Sequence, residues 1–239
     1  MLEGKLSVVI PVYNEERTIA SIVQILLSWG KAREIIVVND GSTDRTFKAL
    51  AQFKKDIKLI SRRENRGKGY SLAEGVRASG GQLLMFMDGD VVGLTHRDLD
   101  KMVNPVLRGA ADMLIAVTNC TRIGTLAPFD SINGERVLWK KNIIGHLAKF
   151  HHVGNGVEFV INDLHQNKRV KTIKLPHVYI LSKVEKAAVP EAMLGYIKEV
   201  GQFLKAIVQI QTDELTPKTR KIFRIAQSYL RRALDYLQA

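Results

Sequence analysis

Leu83 to Met87 is an unbroken run of five apolar residues, and it stops on Asp88-Gly89-Asp90. A run this short with no polar face suits a strand covered on both sides, the environment of a central strand in a parallel sheet. Residues two apart in an extended chain point the same way, so Asp88 and Asp90 can converge at the carboxyl end of that strand. Ligands in open α/β sheets bind at that end. Two adjacent carboxylates repel, and a hard divalent cation holding a diphosphate would relieve the repulsion. Asp-Gly-Asp is also ordinary turn chemistry, and the motif alone favours a turn.

The rest of the first half alternates in the same style. Leu6–Val12, Glu34–Val38 and Ile57–Ile60 read as strands. Between them lie helical patterns: Glu15 to Trp29 capped by Asn14, a helix through Phe53 capped by Ser42, and Gly69 to Ala78. A helix near His96–Leu107 and a strand Met113–Val117 follow. Strands alternating with helices of this length imply right-handed βαβ units. Further on, Ser131–Lys149 reads as mostly helical, Val157–Gln166 as a helix and Val170–Leu175 as a strand. After Val189 come two helices joined around Thr216-Pro217. The division is a domain over 1–188 and a helical appendage over 189–239.

Forty-six per cent apolar residues in 239 support a packed core. The longest apolar runs fall far short of the ~20 residues of a membrane span. Cys120 is the single cysteine, which excludes an internal disulfide and sets the expectation of a cytoplasmic location. We read it as a core residue at a strand end. The net charge is +12 and the pI about 9.8. Such an excess attracts polyanions: nucleic acid, anionic lipid or phosphorylated small molecules.

Two nucleotide fingerprints are missing. No strand precedes G-x-G-x-x-G, and Gly67-Lys68-Gly69 lacks the spacing of a P-loop. The turns after three expected parallel strands are acidic instead: Tyr13-Asn14-Glu15-Glu16, Asn39-Asp40-Gly41-Ser42 and Asp88-Gly89-Asp90. Each could be a helix cap, but all three belong at one edge of the sheet. A nucleic-acid module would leave them unexplained, so none is expected. A nucleotidyltransferase, the rival enzyme class, would want a Gly- and Arg-rich loop where Tyr13-Asn14-Glu15 stands.

In order and spacing, Val9-Ile10-Pro11-Val12-Tyr13-Asn14-Glu15-Glu16, Ile36 to Asp44, Asn65-Arg66-Gly67-Lys68-Gly69 and Met87-Asp88-Gly89-Asp90 resemble the successive signatures of family 2 glycosyltransferases. The likeness covers roughly residues 5–180. Asn39 stands where the family often has Asp, and Gly89 where Ala is more usual. The resemblance implies an α/β GT-A fold with a mainly parallel sheet, and a UDP- or GDP-linked sugar as donor. Pro11, Tyr13 and Glu15 would line the base and Asp40 would hydrogen-bond it. Lys68 would sit by the base or diphosphate. Asp88 would lie near ribose and metal, and Asp90 would ligate Mg²⁺ or Mn²⁺, with His177 as a candidate third ligand.

Gly154-Asn155-Gly156-Val157-Glu158 resembles the acceptor-side motif of polyprenyl-phosphate sugar transferases and glucosyl-phosphoglycerate synthases. Glu158 would orient or deprotonate the acceptor, or simply begin a helix; Asp163 is a weaker candidate. Arg136, in Asn133-Gly134-Glu135-Arg136, matches an arginine of these relatives and suits an acceptor phosphate, with Arg122 a further guess. The implied acceptor is phosphorylated: polyprenyl phosphate first, a soluble acid such as 3-phosphoglycerate second. The basic amphipathic C-terminal helix (Ile222, Tyr229 and Leu234 among Lys218, Arg224 and Arg231) admits packing on the domain, pairing into a homodimer, or peripheral contact with the inner face of a membrane.

Overall fold

The computed structural model describes residues 5–120 and 134–181, with backbone alone at Asn119 and Cys120. The expectations for Arg122, the Cys120 side chain and the 189–239 appendage lie outside the described residues.

Eight strands form one mixed sheet: β1 (Leu6–Val12), β2 (Glu34–Asp40), β3 (Lys58–Arg62), β4 (Leu83–Phe86), β5 (Val91–Val92), β6 (Met113–Cys120), β7 (Arg136–Trp139) and β8 (Val170–Ile180). Their order is β3-β2-β1-β4-β7-β6-β8-β5. The first four are mutually parallel, and β7 is antiparallel to both of its neighbours, β4 and β6. β1 and β4 are buried throughout, as their uninterrupted apolar sequences require.

Helices α1 (Ile19–Trp29) and α4 (His96–Leu107) cover one face of the sheet with α2 (Thr46–Ala51) beside α1. Helices α3 (Lys68–Ala78) and α5 (Val157–Asp163) cover the other. Two apolar layers result. Val8, Ile10 and Met85 face α1 and α4, while Val9, Leu84 and Phe86 face α3 and α5. At roughly 25 cal/mol per Å² of apolar surface removed from water, these layers supply the main drive for folding.

Three departures from the sequence reading have physical causes. Helix α1 starts at Ile19 because Asn14 is no cap. Asn14 adopts φ 58°, its N–H donates to Ser42 Oγ, and its side chain pairs with Thr43. Within the stretch read as helical, Arg136–Trp139 is β7, slotted between β4 and β6, with 3-10 turns to Phe150. Burial of Val137 and Leu138 on opposite faces of the sheet overrides local helix preference there. Finally, β8 does not stop at Leu175. Pairing with β6 jumps from Leu175 to Tyr179, and Pro176, which has no N–H to donate, falls in that irregularity.

Candidate active site

The pairing of β1 with β4 ends at Val9 and Phe86, where Met87 N–H donates to Val9 O. Alternation turns the Pro11 backbone to the same side as Val9. Its missing N–H therefore faces the place where the two strands separate and breaks no ladder bond. With β2 on one side of β1 and β4 on the other, this is the topological switch point, the place where open α/β sheets take their ligands.

The three acidic turns do meet there. Thr18 Oγ1 donates to Gly89 O at 2.6 Å, tying the turn after β1 to the turn after β4. Glu15 N–H donates to Thr46 Oγ1 at 2.8 Å and joins the turn after β2. Gly89 is required in this packing: a Cβ would lie 2.8 Å from Val12 Cγ1 and 3.1 Å from Glu15 Cγ. The alanine usual in the family would need these neighbours to move. Tyr13 stands 44% exposed at the rim. Asn39 is buried, donates from Nδ2 to Ser61 Oγ and accepts from the Ser42 N–H. An aspartate could not make the first of these bonds as donor.

Asp40 is 3% exposed and heavily engaged. Its Oδ1 accepts from the Arg66 N–H at 2.8 Å and from Arg62 Nη2 at 2.9 Å, and its Oδ2 accepts from the Gly67 N–H at 2.7 Å. The residue thus shapes the loop into α3. A carboxylate has about four lone-pair sites, so Oδ2 retains one. Arg66 also stacks 3.9 Å over Tyr70 and bonds its hydroxyl, which stiffens the same loop.

At the centre, Lys68 Nζ lies 2.7 Å from Asp88 Oδ1 and 2.7 Å from Glu158 Oε1. Three distant segments therefore meet in one ionic triad. Burial works against the Lys68 charge, but the two carboxylates outweigh it and the ammonium is held well above its ordinary pKa. Glu158 is 3% exposed; burial raises its carboxyl despite Lys68, and its Oε2 has no hydrogen-bond partner. Gly69 brings α3 against the chain before Glu158: a Cβ there would stand 2.2 Å from Phe150 O.

Arg136 is fully buried and donates from Nη1 to Asn162 Oδ1. Burial lowers its guanidinium to about 10, against the pull of Glu158, Glu135 and Asp88. Asn162 lies one helical turn after Glu158 on α5, so Arg136 anchors the helix that presents Glu158. The sequence reading gave the neighbouring Asp163 instead.

Glu135, which precedes Arg136, carries no signal of its own in the sequence. It is fully buried, and neither carboxylate oxygen has a hydrogen-bond partner. Burial first, then Asp88, pushes its carboxyl up to about 8. Gly134 lets the chain pass this close to the triad, since a Cβ there would fall 2.2 Å from Asp88 Oδ2.

His177, the candidate third ligand, is engaged by a different carboxylate in this structure. Its Nε2 lies 2.8 Å from Asp98 Oδ2, and Asp98 forms the capping box of α4 with Thr95. Register fixes this: Val91 pairs with Ile180 and Val92 with Tyr179, antiparallel. His177 is then four residues along from the level of Asp90, about 13 Å at 3.3 Å per residue.

Among the described residues, no group of three or more His, Cys, Asp or Glu is arranged to hold a metal ion. The donors nevertheless suit Mg²⁺ or Mn²⁺. Such ions take hard oxygen ligands, and one or two carboxylates suffice when phosphates complete the shell. Asp88 is part-exposed beside Lys68, and Asp90 lies close enough to raise the Glu135 pKa.

A mixed α/β sheet with carboxylates and a part-buried lysine gathered at its switch point has the architecture of a GT-A-like protein. The chain belongs to glycosyl transferase family 2, whose pattern matches residues 7–170. It is 36% identical over 94 residues to poly-beta-1,6-N-acetyl-D-glucosamine synthase of Staphylococcus epidermidis, covering 38% of this chain and 23% of that one. It is 35% identical over 100 residues to human dolichyl-phosphate beta-glucosyltransferase, covering 36% and 31%. It is 29% identical over 119 residues to dodecaprenyl-phosphate galacturonate synthase of Rhizobium johnstonii, covering 46% and 35%. The match spans a quarter to about a third of these relatives' lengths. In structure it resembles glucosyl-3-phosphoglycerate synthase of Mycobacterium tuberculosis, solved with Mn²⁺, UDP-glucose and phosphoglyceric acid. The TM-score is 0.64 at 19% identity, over 85% of this chain and 80% of that one.

Proposed function

We propose that the protein transfers a sugar from a UDP- or GDP-linked donor to a phosphorylated acceptor, with polyprenyl phosphate as that acceptor. The observation that carries this reading is the triad of Lys68, Asp88 and Glu158. It joins the donor-side turn after β4 to the acceptor-side helix α5 within a single ionic contact.

Pro11, Tyr13, Glu15 and the remaining lone pair of Asp40 receive the nucleoside. Lys68 carries positive charge to the diphosphate. Asp90, with Asp88, would hold the divalent cation. When bound, that ion offsets the negative charge that builds on the departing diphosphate. A phosphate acceptor is already anionic at neutral pH, so its attack needs orientation more than a strong base. Glu158, anchored through Lys68, gives that orientation. Arg136 lies enclosed behind it and contributes its charge from there.

Two relatives are named for dolichyl or dodecaprenyl phosphate, which supports the lipid-linked acceptor. No helix among the described residues is long and apolar enough to cross a membrane. Access to such an acceptor would then come from peripheral contact. The test supplies Mn²⁺ with radiolabelled UDP- and GDP-sugars to two acceptors in parallel, polyprenyl phosphate in vesicles and 3-phosphoglycerate in solution. Label in the lipid phase supports the proposal. Label in phosphoglycerate alone replaces its acceptor, and label in neither refutes it.

A further inference from the structure

Glu135 is the anomaly of the crevice. Buried polar groups almost always find partners, and an unpaired buried carboxyl costs free energy. This one is met by no other residue's hydrogen-bonding group and has only its own backbone N–H against it. Its backbone is fixed, because Glu135 O accepts from the Ala116 N–H at 2.9 Å and residue 136 pairs with Phe86. The side chain thus leads off a rigid strand end, where unpaired groups mark ligand positions more readily than on a loop.

Its place along the sheet identifies the ligand. The order β2-β1-β4-β7 sets out, along one edge, Asp40, then Pro11 to Tyr13, then Asp88 and Asp90, then Glu135. At about 4.8 Å per strand this row spans roughly 14 Å. A nucleotide sugar laid along it, with its base at Asp40 and its diphosphate at Lys68 and Asp90, brings its sugar to β7. The chemistry agrees. A ligand for Glu135 must donate hydrogen bonds and must carry no negative charge beside Asp88 and Asp90. It is also not one more protein-caged metal ion, for which the described carboxylates are not grouped. Sugar hydroxyls meet every condition.

We propose that Glu135 is the residue that recognises the transferred sugar, exchanging hydrogen bonds with its hydroxyls. This rests on the donor-site reading above. Asp88, whose side chain is one-fifth exposed and whose Oδ2 lies against Gly134, stands between solvent-exposed surface and the strand that begins beside Glu135.

The test is calorimetric titration of the full chain with Mn²⁺ and, separately, UDP, UDP-glucose, UDP-glucuronate, GDP and GDP-mannose. The wild type should bind one nucleotide sugar about tenfold more tightly than its bare diphosphate, the scale of one or two ordinary hydrogen bonds. Glu135→Ala should erase that increment and leave the affinity for the bare diphosphate within twofold. Glu135→Gln, nearly isosteric, keeps the fold test independent and should retain part of the increment. An increment that survives in Glu135→Ala overturns the inference but spares the donor site. So does an equal loss for sugar and bare diphosphate in both variants. Absence of any nucleotide binding by the wild type overturns the donor site and the inference with it.

Discussion

Replacing Lys68 by Met keeps the length of the side chain and removes its charge. Asp88 and Glu158, each 2.7 Å from Nζ, then share an enclosed site without their cation. Removing one partner of a buried ion pair costs about 3–5 kcal/mol, because the remaining charge stays desolvated. Glu158 is only 4% exposed at its side chain and bears nearly all of that penalty, whereas Asp88 at 20% is partly relieved by water. The lower end applies, about 3 kcal/mol at pH 7. For a chain of this size each kcal/mol moves Tm by about 2–4 °C, so the expected fall is roughly 6–12 °C. The penalty depends on pH in a definite sense. Uncompensated Glu158 in the variant has a folded pKa above its unfolded value near 4.5, so the variant is least impaired below that value and loses stability as pH rises. Lys68 itself, raised in the native state, contributes fully below its unfolded pKa and loses that contribution only in strong alkali. Guanidinium unfolding of wild type and Lys68→Met at pH 4 and pH 7 gives both quantities. The added substitution Glu158→Gln should recover most of the loss at pH 7. A deficit under 1 kcal/mol, or one equal at the two pH values, would refute the buried triad.

Glu135, raised from 4.5 to about 8, is an acid whose protonated form the fold prefers. Its contribution is intact below pH 4.5 and is lost as pH rises to about 8, an effect of roughly 5 kcal/mol at most. Glu135→Gln should flatten the stability profile over that window; an unchanged slope in chemical denaturation would disprove it. Gly69→Ala gains about 1 kcal/mol of helix propensity but sets a Cβ 2.2 Å from Phe150 O, so a net loss of about 2 kcal/mol is expected by thermal melting. A neutral result would mean that α3 and the chain at Phe150 are not in this contact. His177→Ala removes a half-exposed partner of Asp98, and about 1 kcal/mol of stability should go with it. Mn²⁺-dependent nucleotide affinity should stay within twofold, and a tenfold drop would return the histidine to the metal.

The parallel half of the sheet was legible because buried central strands write themselves as apolar runs, and Leu83–Phe86 and Leu6–Val12 do so. Helix α4 was expected near its observed span, and the capping box of Thr95 and Asp98 is what fixes its start in the structure. Strand β7 was not. Four residues opening on an arginine carry no period, and their state is decided by the gap between β4 and β6. Asn14 misled for a related reason: its side chain and N–H are claimed by Thr43 and Ser42, some thirty residues away. In the site, the acidic turns could be read because the carboxyl ends of parallel strands are forced to one edge. The bond from Lys68 to Glu158 crosses ninety positions and could be placed only by a resemblance. The isolation of Glu135 could not be read, because being unpartnered is a property of surroundings and not of a residue type.

The most direct measurement is isothermal titration of UDP and of GDP into wild type and Asp90→Ala, with Mn²⁺ and with EDTA. Micromolar binding of one diphosphate by the wild type, lost both on chelation and in Asp90→Ala with the fold intact by circular dichroism, is the expected result. Binding indifferent to the cation and to Asp90, or no binding of either diphosphate, would contradict a cation-bridged nucleotide site at the ends of β1 and β4.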